Sequence, residues 1–211
     1  VSSADNERPS KADWRVHVLA ERKALPETAH AAEADALAAA VCSPPIAGVA
    51  HTVCAYMPFG TEPGSRDLLD ALLSVHVRVL LPVIPSTVGP LDWAAYTGPA
   101  SLRDGPLRGL KEPAGSTLGP EAIEHADAVL VPALAVDDGG VRLGRGGGYY
   151  DRSLPRVREG TELVAVIRDT ELVRSLPAEP HDVRMTGALT PGYGLVRLPR
   201  RHGHDGSAPP S

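Results

Sequence analysis

The run Arg142-Leu143-Gly144-Arg145-Gly146-Gly147-Gly148-Tyr149-Tyr150-Asp151-Arg152 places four glycines in five consecutive positions and interleaves them with arginine. Without Cβ atoms such a loop enters left-handed conformations and turns successive N–H groups toward one point, the geometry that cradles a phosphate. Arg142 and Arg145 supply guanidinium forks that match phosphate oxygens in pairs, and Tyr149 and Tyr150 add ring faces and hydroxyls. A flexible turn is the plain alternative for the glycines alone. Asp151 would repel a polyphosphate unless a cation lay between them. It therefore points to magnesium, which takes one or two carboxylates together with phosphate oxygens; a salt bridge to Arg152 or a place at a helix N-terminus is the other reading. Register excludes two familiar loops. No Lys-Ser/Thr follows in P-loop spacing, and a dinucleotide fingerprint begun at Gly144 needs a third glycine where Tyr149 stands.

The elements that must hold this loop are legible from periodicity. Apolar Trp14, Val18, Leu19 and Leu25 define a helix over Lys11–Leu25 that Pro26 closes, and an alanine-rich helix follows over Thr28–Val41. Buried-strand runs are expected at Thr52–Met57, Val77–Leu81, Leu91–Thr97, Asp127–Leu134, Leu163–Ile167 and Val183–Leu189, with helices at Arg66–Leu73 and Pro120–His125. The loop is read as following its own strand and opening a helix at Tyr149, which would aim a helix dipole at the phosphate. Strands alternating with helices predict an α/β fold: three layers, a mostly parallel sheet flanked by helices, and a few antiparallel edge strands. The Pro- and Gly-bearing stretch 82–119 reads as loops and short antiparallel strands at one end of the sheet. Residues 1–198 are expected to form one domain, and 199–211, which contains His202 and His204, a disordered polar tail.

Composition narrows the function. With a formal net charge of −5 a nucleic-acid partner would need a local basic stripe, and none is evident outside the tail; no apolar run nears the roughly 20 residues that span a bilayer. Cys42 and Cys54 lack metal-ligand spacing and are expected simply to pack, in a reducing compartment. A cytoplasmic monomer with small-molecule partners is the expectation.

The joined pattern Asp-x-x-Leu-Val-Pro-x-Leu-Ala-x-Asp over 127–137 and Gly-x-Arg-Leu-Gly-Arg-Gly-Gly-Gly-Tyr-Tyr-Asp-Arg over 140–152 resembles the 5-formyltetrahydrofolate cyclo-ligase (5,10-methenyltetrahydrofolate synthetase) family. Lys11-x-x-x-Arg15, Glu62, Glu112-Pro113 and Leu176-Pro177-x-Glu179-x-His181-Asp182 extend the likeness over roughly residues 11–190. It implies ATP-dependent closure of 5-formyltetrahydrofolate to 5,10-methenyltetrahydrofolate, with ATP and a reduced folate as partners, Mg²⁺ as cofactor and a phosphorylated formyl intermediate. Carried over by position, Lys11 and Arg15 clamp ATP phosphates, and Arg142, Leu143, Gly144, Arg145, Gly146, Gly147, Gly148, Tyr149 and Tyr150 form the nucleotide loop. Arg145 to Tyr149 also face the folate, Met57 and Glu62 contact the pterin, and Asp151 and Asp182 hold magnesium. Arg145 and Lys11 are the residues expected to act in catalysis. The chain departs from the family pattern at Arg145, where many relatives carry Tyr, at Val136 in place of Phe, and at Pro63-Gly64-Ser65. A usual glutamine has no counterpart, with Asp169 or Glu171 standing nearby. A non-catalytic nucleotide- or folate-binding paralogue is the alternative; an isomerase or CoA-transferase relative rests on fold analogy alone.

Overall fold

Ser10 starts the first helix by a reciprocal cap: its hydroxyl accepts from the Asp13 N–H, and the Asp13 carboxylate accepts from the Ser10 N–H. The structure, a computed structural model, describes residues 9–199 apart from 45, 47 and 181. The tail expected beyond 199, with His202 and His204, lies outside the described residues, as does His181. The helices are α1 (Lys11–Ala24), α2 (Glu27–Val41), α3 (Arg66–Ser74) and α4 (Tyr149–Ser153). The strands are β1 (Thr52–Cys54), β2 (Arg78–Val83), β3 (Asp92–Tyr96), β4 (Leu102–Asp104), β5 (Lys111–Pro113), β6 (Ala128–Pro132), β7 (Ala135–Asp137), β8 (Arg142–Leu143), β9 (Glu162–Val166), β10 (Leu172–Val173), β11 (Gly187–Thr190) and β12 (Gly194–Arg197).

Seven strands form the main sheet in the order β12-β11-β9-β6-β1-β2-β3. Neighbours from β11 to β2 run parallel, while β3 and β12 close the two edges antiparallel. Alternate residues feed opposite cores, as a two-residue side-chain period requires. Val53, Val79, Leu81, Leu130 and Val164 pack toward Leu37, Leu68 and Leu72 of α2 and α3. Cys54, Leu80, Val129, Val131 and Leu163 pack toward Ile123 and Leu154 on the other face. Burial raises the Cys54 thiol well above its ordinary pKa, and both cysteines are free. A third cluster seats α1: Val18 and Trp14 lie against Leu143 of a small β10-β7-β8 sheet and against Leu134, Val141 and Leu176 beside its strands.

Several sequence expectations change. The Asp127–Leu134 strand does not run directly into the glycine loop, because a β7–β8 hairpin intervenes. Its turn is held by Asp137, whose Oδ1 accepts from the Gly139 and Val141 N–H groups at 2.9 and 2.8 Å and whose Oδ2 accepts from Leu176 at 3.0 Å. Gly140 completes the turn at φ +81°, where a Cβ would lie 2.5 Å from the Met185 carbonyl oxygen. The helix opened at Tyr149 is only five residues long, so its dipole is a minor contributor to anion binding. Finally, β12 is an additional edge strand after β11, and Pro120–His125 winds as a 3-10 helix. Asp137→Ala is expected to lower stability by about 3 kcal/mol, since buried N–H donors lose their acceptor. Urea unfolding measures it; an unchanged midpoint contradicts the pinning role.

Candidate active site

The chain leaves β1 toward β2 on one side and β6 toward β9 on the other, so a crevice opens at the carboxyl ends of these two strands, where ligands of open α/β sheets bind. A cavity of about 240 Å³ fills it. β1 ends at Cys54, sooner than expected, and the following extended segment supplies Tyr56, Met57, Phe59 and Glu62. The glycine loop from Gly144 to Gly148, with Tyr149 and Tyr150, forms a second wall. Leu107, Leu110 and Lys111 of the β4–β5 hairpin form a third, fulfilling the expectation of antiparallel strands at this end. Apolar walls around few polar groups suit a flat heterocycle.

Glu62 is the buried acid of this cavity, 6% exposed. It accepts from the Phe59 N–H at 3.3 Å and pairs with Arg145 Nε at 3.2 Å. Burial raises its pKa above the ordinary carboxylate value, against the opposing pull of Arg145, the Phe59 N–H and Arg22. Arg145 itself is partly exposed and lies over the Phe59 ring, 5.4 Å from its centroid. The Tyr150 hydroxyl is buried and has no hydrogen-bond partner among the described residues, leaving a donor for a ligand. Burial pushes that phenol upward, so it stays protonated.

At the other end Arg142 pairs with the exposed Asp151 and lies 5.9 Å from the Tyr150 ring centroid. Helix α1 brings two further cations to this end. Arg15 Nε donates to the Gly144 carbonyl at 2.9 Å, and Lys11 Nζ pairs with Asp182 and Glu179, each at 3.1 Å. Burial alone would lower the Lys11 pKa, but hydrogen bonds and charge from Asp182 and Glu179 hold it above the ordinary value. Arg152 braces the loop from outside: Nη2 donates to Gly147 O at 3.2 Å and Nε to Gly89 O at 2.9 Å, with the guanidinium 5.2 Å from the Tyr149 ring centroid. Gly148, at φ +70°, precedes α4, and a Cβ there would meet Arg152 Nη1 at 2.6 Å.

Met57, Glu62, Arg142, Gly144 to Tyr150 and Asp151 thus line one cavity, while Lys11, Arg15 and Asp182 gather beside its loop. Leu143 differs from its expected place, since its side chain is buried under α1 and only its backbone belongs to the loop. Sequence reasoning overlooked Arg22, a cavity residue whose signal was nevertheless present: Lys11, Arg15, Val18 and Arg22 form one i, i+4, i+7, i+11 stripe of α1.

A sequence profile of the 5-formyltetrahydrofolate cyclo-ligase family matches residues 7–191. The chain belongs to that family. Among its relatives, a 5-formyltetrahydrofolate cyclo-ligase of Mycolicibacterium smegmatis is 47% identical over 193 residues, covering 90% of this chain and 97% of that protein. The Escherichia coli cyclo-ligase is 33% identical over 150 residues, covering 70% of this chain and 81% of that one. The solution structure of Aquifex aeolicus 5,10-methenyltetrahydrofolate synthetase superposes with a TM-score of 0.75 at 27% identity, covering 93% of this chain and 99% of the other. The Mycoplasma pneumoniae synthetase shares the fold, with a TM-score of 0.65 at 19% identity over 84% and 96% of the two chains. Within this cyclo-ligase-family chain the departures have local structural roles. Gly64 turns at φ +90°, and Ser65 caps α3 by accepting from the Asp67 N–H. Where the usual glutamine is missing, Glu171 forms a buried ion pair with Arg22.

Proposed function

We propose that the chain closes 5-formyltetrahydrofolate to 5,10-methenyltetrahydrofolate at the expense of ATP, releasing ADP and phosphate. The observation that supports this best is the division of one cavity: a buried carboxylate, Glu62, at one end and an arginine-studded glycine loop at the other. Glu62 accepts from the pterin N–H donors while Met57 and the apolar walls cover the ring. Lys11, Arg15 and Arg142 with the loop N–H groups hold the triphosphate. The formyl oxygen attacks the γ-phosphorus, and the bridging P–O bond breaks with its electrons leaving on ADP. N10 then attacks the activated formyl carbon and loses its proton, and the C–O bond breaks to release phosphate. Arg145, the loop residue that reaches Glu62, stabilises charge as it moves toward the formyl oxygen. Apolar walls keep out water, the competing nucleophile.

The residues present also fit Mg²⁺. No group of three His, Cys, Asp or Glu converges among the described residues, so they build no all-protein cage. Asp151, paired with Arg142, and Asp182, paired with Lys11, are the carboxylates that would hold an ion completed by phosphate oxygens and water. Such an ion neutralises triphosphate charge when bound.

Purified protein is expected to raise the absorbance of the methenyl product only when ATP, Mg²⁺ and 5-formyltetrahydrofolate are all present. Binding of both substrates without turnover selects a non-catalytic paralogue and overturns the proposal. Gly148→Ala is expected to lower kcat/KM for ATP at least about tenfold, because the left-handed position strains an L-residue and the new methyl displaces Arg152. Steady-state kinetics with varied ATP provide the check.

A further inference from the structure

Pterins present a donor, a donor and an acceptor in a row: the 2-amino group, N3–H and the 4-oxo oxygen. The two oxygens of Glu62 match the donors, which leaves the carbonyl in need of a partner. The wall is largely apolar, with Met57, Phe59, Ile84 and Leu91, so the few donors that line it, Arg22 and the Tyr150 hydroxyl among them, are the candidates.

Arg22 lines that same cavity although its side chain is only 1% exposed. Its Nε donates to Glu171 Oε1 at 2.7 Å, and its Nη2 donates to Glu171 Oε2 at 2.7 Å and to the Ala133 carbonyl at 2.6 Å. Nη1 takes no part in these bonds. A guanidinium serving Glu171 alone needs no face on the cavity. We propose that Arg22 Nη1 donates to the 4-oxo oxygen of the bound pterin, making Arg22 a specificity residue for oxo-pterins. This inference rests on the reading that folate occupies the Glu62 end.

The surrounding bonds fix donor and acceptor relative to each other. Arg168 N–H donates to Glu171 Oε2 at 2.8 Å, and its side chain donates to Glu33 at 2.7 Å and to the Thr61 carbonyl, next to Glu62, at 3.3 Å. Glu171 therefore orients Arg22 while Arg168 ties the same network to the Glu62 turn. The charge of Arg22 is also felt at Glu62, consistent with the two groups facing one ligand edge.

The test compares equilibrium binding, by fluorescence titration, of 5-formyltetrahydrofolate and its 4-thioxo analogue, which keeps N3–H for Glu62 and replaces the oxygen by a much weaker acceptor. Wild-type protein is expected to bind the analogue about tenfold more weakly, since sulfur keeps only part of the worth of a hydrogen bond from a charged donor. Arg22→Lys keeps a cation for Glu171 but has a single nitrogen and no counterpart of Nη1, and the paired variant R22Q/E171Q removes the charge without stranding the carboxylate. In each folded variant the ratio between the two ligands is expected to fall to near one. Loss of packing alone weakens both ligands equally and keeps the wild-type ratio, so a preserved ratio overturns the inference, as does a wild-type protein indifferent to the oxygen. Ring closure measured on the same wild-type preparation separates the two claims. Turnover with a preserved ratio removes the role of Arg22 alone, whereas folate binding without turnover removes the ligase reading and leaves the ratio to judge Arg22.

Discussion

Glu62→Gln is expected to weaken 5-formyltetrahydrofolate binding at least about a hundredfold while leaving the fold as stable as before, or more so. The amide keeps one acceptor but turns an N–H toward the second pterin donor, and truncating one side of a buried charged pair typically costs about 2–5 kcal/mol. Stability runs the other way. Burial raises the Glu62 pKa above its ordinary value of 4.5, so folding favours the neutral carboxyl. Its stabilising contribution is present below the unfolded-state pKa and is lost as pH rises through the higher folded-state value. At neutral pH the ionised group therefore burdens the fold, and glutamine removes that burden. Denaturant unfolding of the two proteins is expected to show the variant equal or ahead at pH 7.5 and no longer ahead near pH 4. Fluorescence titration supplies the binding half; an unchanged Kd would remove Glu62 from the pterin site. Folate binding by the wild-type protein is likewise expected to weaken on acidification at a higher pH than an ordinary glutamate would give.

Arg142→Gln is expected to reduce kcat/KM for ATP by about 10²–10³ while folate affinity without nucleotide stays within a few-fold of wild type. The Arg142 side chain is 8% exposed, beside the loop N–H groups, where charge acts through less water than at the surface. Losing one preorganised charged donor to a transferring phosphoryl group falls in this range. Asp151 is exposed, so its release leaves no buried charge and the fold is expected to survive. Calorimetric titration with ATP and with folate separates the effects. Equal losses toward both ligands would indicate collapse of the cavity instead.

Much of this architecture was legible because its signals are local. The α1 cap at Ser10, the i, i+4 face of α3 and the short apolar runs of β2, β6 and β9 each specify an element without help from distant residues. The β7–β8 hairpin was missed although Asp137-Asp138-Gly139-Gly140 is a turn signal, because its strands are very short and are held by tertiary bonds from Leu176 and Met185. β12 escaped for a similar reason, being three half-buried residues and an exposed Arg197 that pair only with β11. At the site, residue types identified the phosphate loop, but not that Arg145 would sit on Glu62. That pairing joins positions far apart in the chain and depends on where β1 and β8 end. Arg22 was hidden by its position among ordinary helix charges; only the packing of α1 onto the small sheet turns it inward.

Lys11 and Arg22 lie eleven residues apart on one unbroken helix, a separation of about 16 Å at 1.5 Å per residue. α1 thus works as a ruler whose two marks fall at the loop end and the ring end of one crevice. Inserting a single residue between Arg15 and Arg22 would rotate one mark by about 100° relative to the other. The count along this helix cannot change without putting the two ends out of phase.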